Sequence, residues 1–272
     1  MIYELNHVGV RIRDLDESLA FWVGILGAKV VSEAFIPSSR TDCVYLQIAD
    51  GMVELLRPAD PPEGATFGAD HIAFMTDDLD GEHQRLVDAG FTSLLAPKVA
   101  GTGRGRLAFV SDPSTVRVEL LQREEDFRVD PIEGFVRSLD HYSVAADDLD
   151  TSVAFYGGHL GLTPLATQTD AGGGRSAYFG LRDDAVEVHH ASTQSPSDRR
   201  SDPRIRHVGL RVDDVDATTE RLRAHGVAIA SEPAAAVDGH GRTSTVHDPD
   251  GVPVVLLDRA DLRDHPTQEG TR

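Results

Sequence analysis

The chain of 272 residues is long enough for two ordinary domains, and its 40% hydrophobic and 26% charged residues are typical of a globular protein. The formal net charge of −19 argues against nucleic acid and anionic membranes as partners, because phosphate binding requires clustered lysine and arginine. The single cysteine, Cys43, excludes an internal disulfide bond and a cysteine-based zinc site. No apolar run could span a membrane and no basic segment precedes the first strand-like run, so we expect a cytoplasmic protein without a signal peptide.

Four similar segments follow one another along the chain, and each opens with a strand-like run that holds one histidine. They start at residues 5, 69, 139 and 205, with the sequences LNHVGVRIRDLDESLAFW, ADHIAFMTDDLDGEHQRL, LDHYSVAADDLDTSVAFY and IRHVGLRVDDVDATTERL. In each segment an aspartate suits the N-cap of a helix and a glycine suits the residue after its C-terminus. The aspartates are Asp14, Asp78, Asp148 and Asp214, and the glycines are Gly27, Gly90, Gly161 and Gly226.

Strand-like runs separated by turn signals follow each predicted helix. In the first unit these runs are AKVVSEAFI, DCVYLQIA and MVELLRP. Each unit therefore predicts the element order βαβββ. The longer connection REEDFRVDPIEGFVR divides the four units into two halves. We predict a first domain at residues 1–125, a linker at 126–138, a second domain at 139–260 and a polar tail at 261–272.

The last strand of each unit carries a glutamate, or a valine in the fourth unit, 46 to 48 residues after the repeated histidine. The histidines are His7, His71, His141 and His207, and the matching positions hold Glu54, Glu119, Glu187 and Val255. Glu54 has apolar neighbours on both faces of its strand, where an unpaired carboxylate is costly. One such histidine is more often an ordinary core residue, but three histidine–glutamate pairs at nearly constant spacing indicate a metal or catalytic site. Such side chains bind Zn, Ni, Co, Mn or Fe.

The openings HVGVRIRDLDESLAFWVGILG and HYSVAADDLDTSVAFYGGHLG resemble the vicinal oxygen chelate superfamily, which includes glyoxalase I, methylmalonyl-CoA epimerase, extradiol dioxygenases and bleomycin resistance proteins. The resemblance covers nearly all of residues 3–258. It implies an α+β fold in which four βαβββ units pair into two curved mixed-sheet domains around a metal cleft. It also implies metal ligands from the first and last strands of the units, which here are His7, Glu54, His71, Glu119, His141, Glu187 and His207.

Val255 leaves one of eight ligand positions without a metal-binding side chain. We therefore expect one full site that holds one divalent ion (Zn, Ni, Co, Mn or Fe) and one poorer site. If units pair within each half, the full site consists of His7, Glu54, His71 and Glu119. If units pair between halves, as in glyoxalase I dimers, the full site consists of His71, Glu119, His141 and Glu187. The sequence leaves both pairings open.

The function that we favour is a metal-dependent lyase or isomerase of the glyoxalase or epimerase type. It would act through a metal-chelated enediolate on a small oxygenated metabolite, with Glu54, Glu119 or Glu187 moving the proton. His189, two residues after Glu187, is a further candidate ligand or base, although a surface pair with His190 is the commoner arrangement. We expect a small-molecule substrate and a monomer or homodimer.

Two other functions are compatible with the sequence. An extradiol-type ring-cleavage dioxygenase needs two histidines and one carboxylate in the second half, and Val255 removes the acid unless Glu187 replaces it. A non-enzymatic resistance protein that binds a drug or metabolite is the other alternative. Such proteins typically lack the metal ligands, and seven of the eight positions are retained here.

Overall fold

A computed structural model of the protein describes residues 1–170, 172–192, 204–237 and 239–262. These residues form two eight-stranded sheets, one from each half of the chain. The strands of the first sheet are β1 (Ile2–Arg11), β2 (Lys29–Ile36), β3 (Thr41–Ile48), β4 (Gly51–Pro58), β5 (Gly68–Thr76), β6 (Ser93–Val99), β7 (Arg106–Ser111) and β8 (Arg117–Gln122). The strands of the second sheet are β9 (Val136–Ala145), β10 (Thr163–Thr169), β11 (Arg175–Leu181), β12 (Asp184–His190), β13 (Ile205–Val212), β14 (Ile229–Ala235), β15 (Arg242–His247) and β16 (Pro253–Leu257).

Each sheet joins two βαβββ units along their first strands. The strand orders are β2-β3-β4-β1-β5-β8-β7-β6 and β10-β11-β12-β9-β13-β16-β15-β14. β1 is antiparallel to β5 and β9 is antiparallel to β13, whereas the first strand of each unit is parallel to its last strand. The predicted α+β fold of paired βαβββ units is confirmed. Units pair within each half, so the repeated histidines and glutamates of one half lie on adjacent central strands.

Each helix begins directly after one of the repeated aspartates, and one of the repeated glycines follows each complete helical segment, as the sequence predicted. They are α1 (Leu15–Leu19), α2 (Leu79–Asp88), α3 (Leu149–Val153) and α4 (Val215–Ala224). Each N-cap aspartate accepts a hydrogen bond from the backbone amide three residues later. The four glycines after the helices have φ between +76° and +96°, a conformation that favours glycine. No helix within the described residues is long and apolar enough to cross a membrane.

Two of the four helices found in the described part of the chain continue as π-helical turns, which the sequence pattern did not predict. These turns are Ala20–Ile25 after α1 and Ala154–His159 after α3. In the first, the adjacent side chains of Phe21 and Trp22 are both buried. The wider turn allows both neighbouring aromatic rings to pack inward, and a short π turn inside an α-helix is a known adjustment of this kind.

The two sheets share one continuous hydrophobic core. The Tyr142 hydroxyl donates a hydrogen bond of 2.9 Å to the backbone oxygen of Met52, across the two halves. Arg128, in the segment predicted as a linker, forms ion pairs with Glu4 of the first half and Asp184 of the second, at 3.2 and 2.7 Å. Part of that connecting segment is therefore fixed against both sheets.

Candidate metal centre

The first sheet brings His7, Glu54, His71 and Glu119 together at its centre, where each residue is at most 6% exposed. The Nε2 atoms of the two histidines lie 3.2 Å apart. One oxygen of Glu54 lies 3.4 Å from both Nε2 atoms, and one oxygen of Glu119 lies 3.5 Å from His7 and 3.1 Å from His71. One potential ligand atom from each of the four side chains thus lies within 4.8 Å of the other three.

Hydrogen bonds behind both imidazoles direct their Nε2 atoms towards this centre. The Nδ1 atom of His7 lies 2.9 Å from the amide oxygen of Asn6, and that of His71 lies 3.1 Å from a carboxylate oxygen of Asp70. Both oxygens accept, so in the neutral imidazoles each Nδ1 carries the hydrogen and each Nε2 presents its lone pair to a metal ion. Two lone pairs and two carboxylates facing one another in a buried space need a cation between them. The donor set therefore fits a divalent metal ion.

The charges at this centre favour a cation. Burial alone would lower the pKa of His71, but the carboxylates of Glu119 and Asp70 raise it well above its usual value. Burial would raise the pKa of Glu54, but His7 and His71 hold it well below its usual range. A divalent ion bound by the four side chains would meet the same demand for positive charge.

A β-bulge in each unit explains why the residue before each histidine can contact the imidazole. Where β1 pairs with β5, Asn6 is the extra residue between two register pairs of β1, and Asp70 is the extra residue on β5. Asp140 on β9 and Arg206 on β13 hold the same position in the second sheet. Simple alternation along a strand predicts opposite faces for neighbours, but a bulge redirects a side chain. Sequence reasoning therefore missed these residues, although a polar residue precedes every repeated histidine.

Gly9 provides the space that the His71 ring occupies. A Cβ atom at Gly9 would lie 2.0 Å from Cε1 of His71, and one at Gly209 would lie 2.5 Å from Cε1 of His141. Each of these glycines ends the tripeptide HVG that contains His7 or His207. That shared tripeptide was the available sequence signal for a close approach of an imidazole to the backbone.

Gly9→Ala is expected to displace the His71 ring and weaken binding of divalent ions by about tenfold or more, as loss of a ligand's orientation does at other metal sites. Titration against a chelating dye measures this affinity. The matched control is Gly24→Ala, because a Cβ there meets nothing within 4 Å. Equal affinities in the two variants would contradict the role given to Gly9.

The second sheet brings together His141, Glu187 and His207. The two Nε2 atoms lie 2.9 Å apart, and an oxygen of Glu187 lies 3.7 Å from His141 and 3.5 Å from His207. Burial lowers the pKa of His207 to about 3, so its imidazole is neutral, the form that binds metals. Burial would raise the pKa of Glu187, but His207 and His141 lower it to about 2.

Val255 holds the register position of the fourth ligand in the second sheet. Val255 is paired with Gly209 in the parallel ladder, as Glu54 is paired with Gly9 in the first sheet. Its side chain lines a cavity of about 330 Å³ beside the three candidate ligands of this half. The second centre therefore offers two imidazoles and one carboxylate among the described residues.

His189 also lines the second cavity, and its Nδ1 atom lies 2.9 Å from the hydroxyl of Ser176. The same hydroxyl donates a hydrogen bond of 2.7 Å to Glu187. His189 and His190 are both half-buried. Both residues lie at the end of β12 and are partly exposed, and His189, but not His190, lines the cavity.

A cavity of about 370 Å³ gives access to the first centre from one side. Glu54, His71 and Glu119 form its inner end. Its apolar walls are formed by Ile36, Leu56, Phe67, Leu107 and Phe109. The basic residues Arg11 and Arg117 also line it. This volume is enough for a small ligand that reaches both glutamates.

The model of the glyoxalase/bleomycin resistance protein/dioxygenase superfamily matches residues 4–120 and 138–256. The chain belongs to this superfamily. Among its members, lactoylglutathione lyase of Schizosaccharomyces pombe is 22% identical over 267 residues, covering 83% of this chain and 87% of that protein. A probable chloroplastic lactoylglutathione lyase of Arabidopsis thaliana is 22% identical over 269 residues, covering 94% and 73%. An ethylmalonyl-CoA/methylmalonyl-CoA epimerase of Cereibacter sphaeroides is 28% identical over 116 residues, covering 38% and 85%.

Solved structures of other superfamily members share the fold of the whole chain. A catechol 2,3-dioxygenase superposes with a TM-score of 0.69 at 17% identity, covering 100% of this chain and 91% of that one. A mutant of 4-hydroxymandelate synthase from Streptomyces coelicolor superposes with a TM-score of 0.71 at 17% identity, covering 96% and 93%. The relatives named by these comparisons are enzymes. Sequence identities this low establish the fold, and the reaction has to be inferred from the residues of the site.

Proposed function

We propose that the protein is a metal-dependent lyase or isomerase that moves a proton on the carbon next to a carbonyl group of a small oxygenated metabolite. The observation that carries this proposal is the pair of buried carboxylates, Glu54 and Glu119, that face two histidine Nε2 atoms at the end of a cavity. The lyase and epimerase relatives support the same reaction class.

His7, His71, Glu54 and Glu119 would hold the ion. When bound, a divalent ion supplies Lewis-acid polarisation of neighbouring substrate oxygens. The two imidazoles are fixed from behind by Asn6 and Asp70, so their Nε2 atoms keep their direction as a substrate enters. The buried setting strengthens the interaction between these side chains and the charge that develops on the substrate.

The two glutamates differ in how firmly they are held. The Cys43 thiol donates a hydrogen bond of 3.0 Å to the second oxygen of Glu54, and burial raises the pKa of this thiol, so it stays protonated. Glu119 makes its ion pairs with His7 and His71 through one oxygen, and its second oxygen has no hydrogen-bond partner among the described residues. We therefore assign Glu54 as the anchored ligand and Glu119 as the carboxylate that takes and returns the substrate proton.

The test is exchange of a carbon-bound proton into D2O, followed by proton NMR, with S-lactoylglutathione and methylmalonyl-CoA as separate probes. Both compounds carry a proton on the carbon next to a thioester carbonyl. We expect exchange of at least one probe with protein loaded with Zn, Ni, Co or Mn, and no exchange after treatment with a chelator.

Absence of exchange for both probes with every metal would contradict the proposed reaction class for these substrates. If the protein also fails to bind any of the four metals, the result would favour a binding protein without catalytic activity. Retention of tight metal binding without exchange would instead direct attention to the second candidate function.

That second candidate is a ring-cleaving dioxygenase, and one observation favours it. Glu187 lies beside His141 and His207, so it replaces the acid that Val255 removes from a set of two histidines and one carboxylate. Such a set with open positions is typical of non-haem Fe(II) oxygenases. Oxygen consumption by the Fe(II)-loaded protein with catechol would distinguish this function from proton transfer.

A further inference from the structure

The fourth unit differs from the other three at the residue before its histidine. Asn6, Asp70 and Asp140 each accept a hydrogen bond from the imidazole that follows them, at 2.7–3.1 Å. The fourth unit has Arg206 there, and a guanidinium group cannot accept a hydrogen bond. His207 accordingly has no hydrogen-bond acceptor for its Nδ1 atom among the described residues.

The two changes in unit four alter the charge of the second cavity in one direction. Compared with unit two, which has Asp70 and Glu119, Arg206 and Val255 together remove two negative charges and add one positive charge. Both residues line the second cavity. The second cavity, built on the same register as the first centre, is therefore less negatively charged than the first and contains a guanidinium group.

Arg206 makes no direct contact with an acid within the described residues, although the carboxylates of Glu187 and Asp170 attract it from across the cavity. It is half-buried, lines the cavity and makes neither an ion pair nor a hydrogen bond there. By contrast, Arg259 in the same cavity is paired with Asp140 at 2.6 Å. The half-buried guanidinium of Arg206 therefore has hydrogen-bond donors that no described residue uses and that a ligand in the cavity can take.

We propose that the second cavity binds a small monocarboxylate, with the carboxylate on the Arg206 guanidinium and the apolar part of the ligand against Val255. The planar guanidinium matches a carboxylate through two parallel hydrogen bonds. Asp170 and Glu187 line the same cavity and disfavour a dianion such as a phosphate monoester. Val237 and Leu257 extend the apolar wall beside Val255. This site lies in the other sheet from the proposed catalytic centre, so the two proposals stand independently.

Isothermal titration of the full chain with benzoate, benzamide and phenyl phosphate tests the site. Benzoate should bind the wild type, whereas neutral benzamide and dianionic phenyl phosphate should bind at least about tenfold more weakly. Arg206→Gln should weaken benzoate binding at least about tenfold. Arg206→Lys keeps the charge but loses the planar fork, so its affinity for benzoate should lie between those of Arg206→Gln and the wild type. Arg175→Gln is the matched control, because Arg175 lies in the same half but does not line this cavity.

Equal benzoate affinity in Arg206→Gln and wild type would overturn the proposal, as would a wild type that does not bind benzoate. Tighter binding of phenyl phosphate than of benzoate would overturn the choice of a monocarboxylate. The melting temperature of the ligand-free protein is a second readout. Arg206→Gln should unfold at the same temperature as the wild type or higher, whereas a lower value would give Arg206 a structural role instead.

Discussion

Glu119→Gln is expected to slow exchange of the substrate's carbon-bound proton by about 10³-fold, because the amide cannot accept that proton. The matched control is Glu187→Gln, the same substitution at the corresponding position of unit three, in the second sheet. It should change the rate by less than about threefold, because Glu187 lies in the other centre. His207→Gln should likewise cost little, since the four-ligand centre of the first half does not include His207.

Metal content of Glu119→Gln must be measured beside its rate, because a lost ligand and a lost base both reduce activity. At a metal concentration that saturates the variant, the rate defect should persist. A rate restored by excess metal would make Glu119 a ligand only, and a larger defect in Glu187→Gln would transfer the reaction to the second centre.

Val255→Glu should strengthen binding of a divalent ion at the second centre by at least about tenfold, because it adds a carboxylate at the fourth register position. Without metal, the same variant should be destabilised by about 3 kcal/mol, since the new charge is partly buried in a cavity that already holds the carboxylates of Glu187 and Asp170. Added metal should restore the melting temperature.

Val255→Gln is the matched control, because it introduces a side chain of similar size without charge. Metal titration of the two variants against wild type measures the difference. If Val255→Glu and Val255→Gln have the same second-site affinity, Val255 does not hold the fourth ligand position. Val255 would then contribute only packing to the second cavity.

The repeat allowed much of the fold to be predicted from the sequence. The N-cap aspartates, the glycines after the helices and the strand runs of the first unit lie where the local signals placed them. These features depend on interactions within a few residues, which a single sequence displays directly. The π-helical turns escaped prediction because two adjacent buried aromatic residues, such as Phe21 and Trp22, fit an ordinary helical pattern equally well.

The convergence of His7 with Glu54 could be predicted because the first and last strands of a unit are tied by a repeated spacing. Which unit supplies the other two ligands could not be predicted. The antiparallel pairing of β1 with β5 depends on long-range packing, and four units of similar sequence could pair in more than one way. The bulges at Asn6 and Asp70 were hidden for a related reason. A bulge shifts the register against a partner strand, and alternation within one strand carries no record of it.

The central claim is that a divalent ion is held within the first sheet by His7, Glu54, His71 and Glu119. Elemental analysis of untagged wild-type protein, His71→Gln and His141→Gln tests it most directly. We predict about one tightly bound ion per chain in the wild type and in His141→Gln, and loss of that ion in His71→Gln. Retention of the ion in His71→Gln together with its loss in His141→Gln would contradict the account.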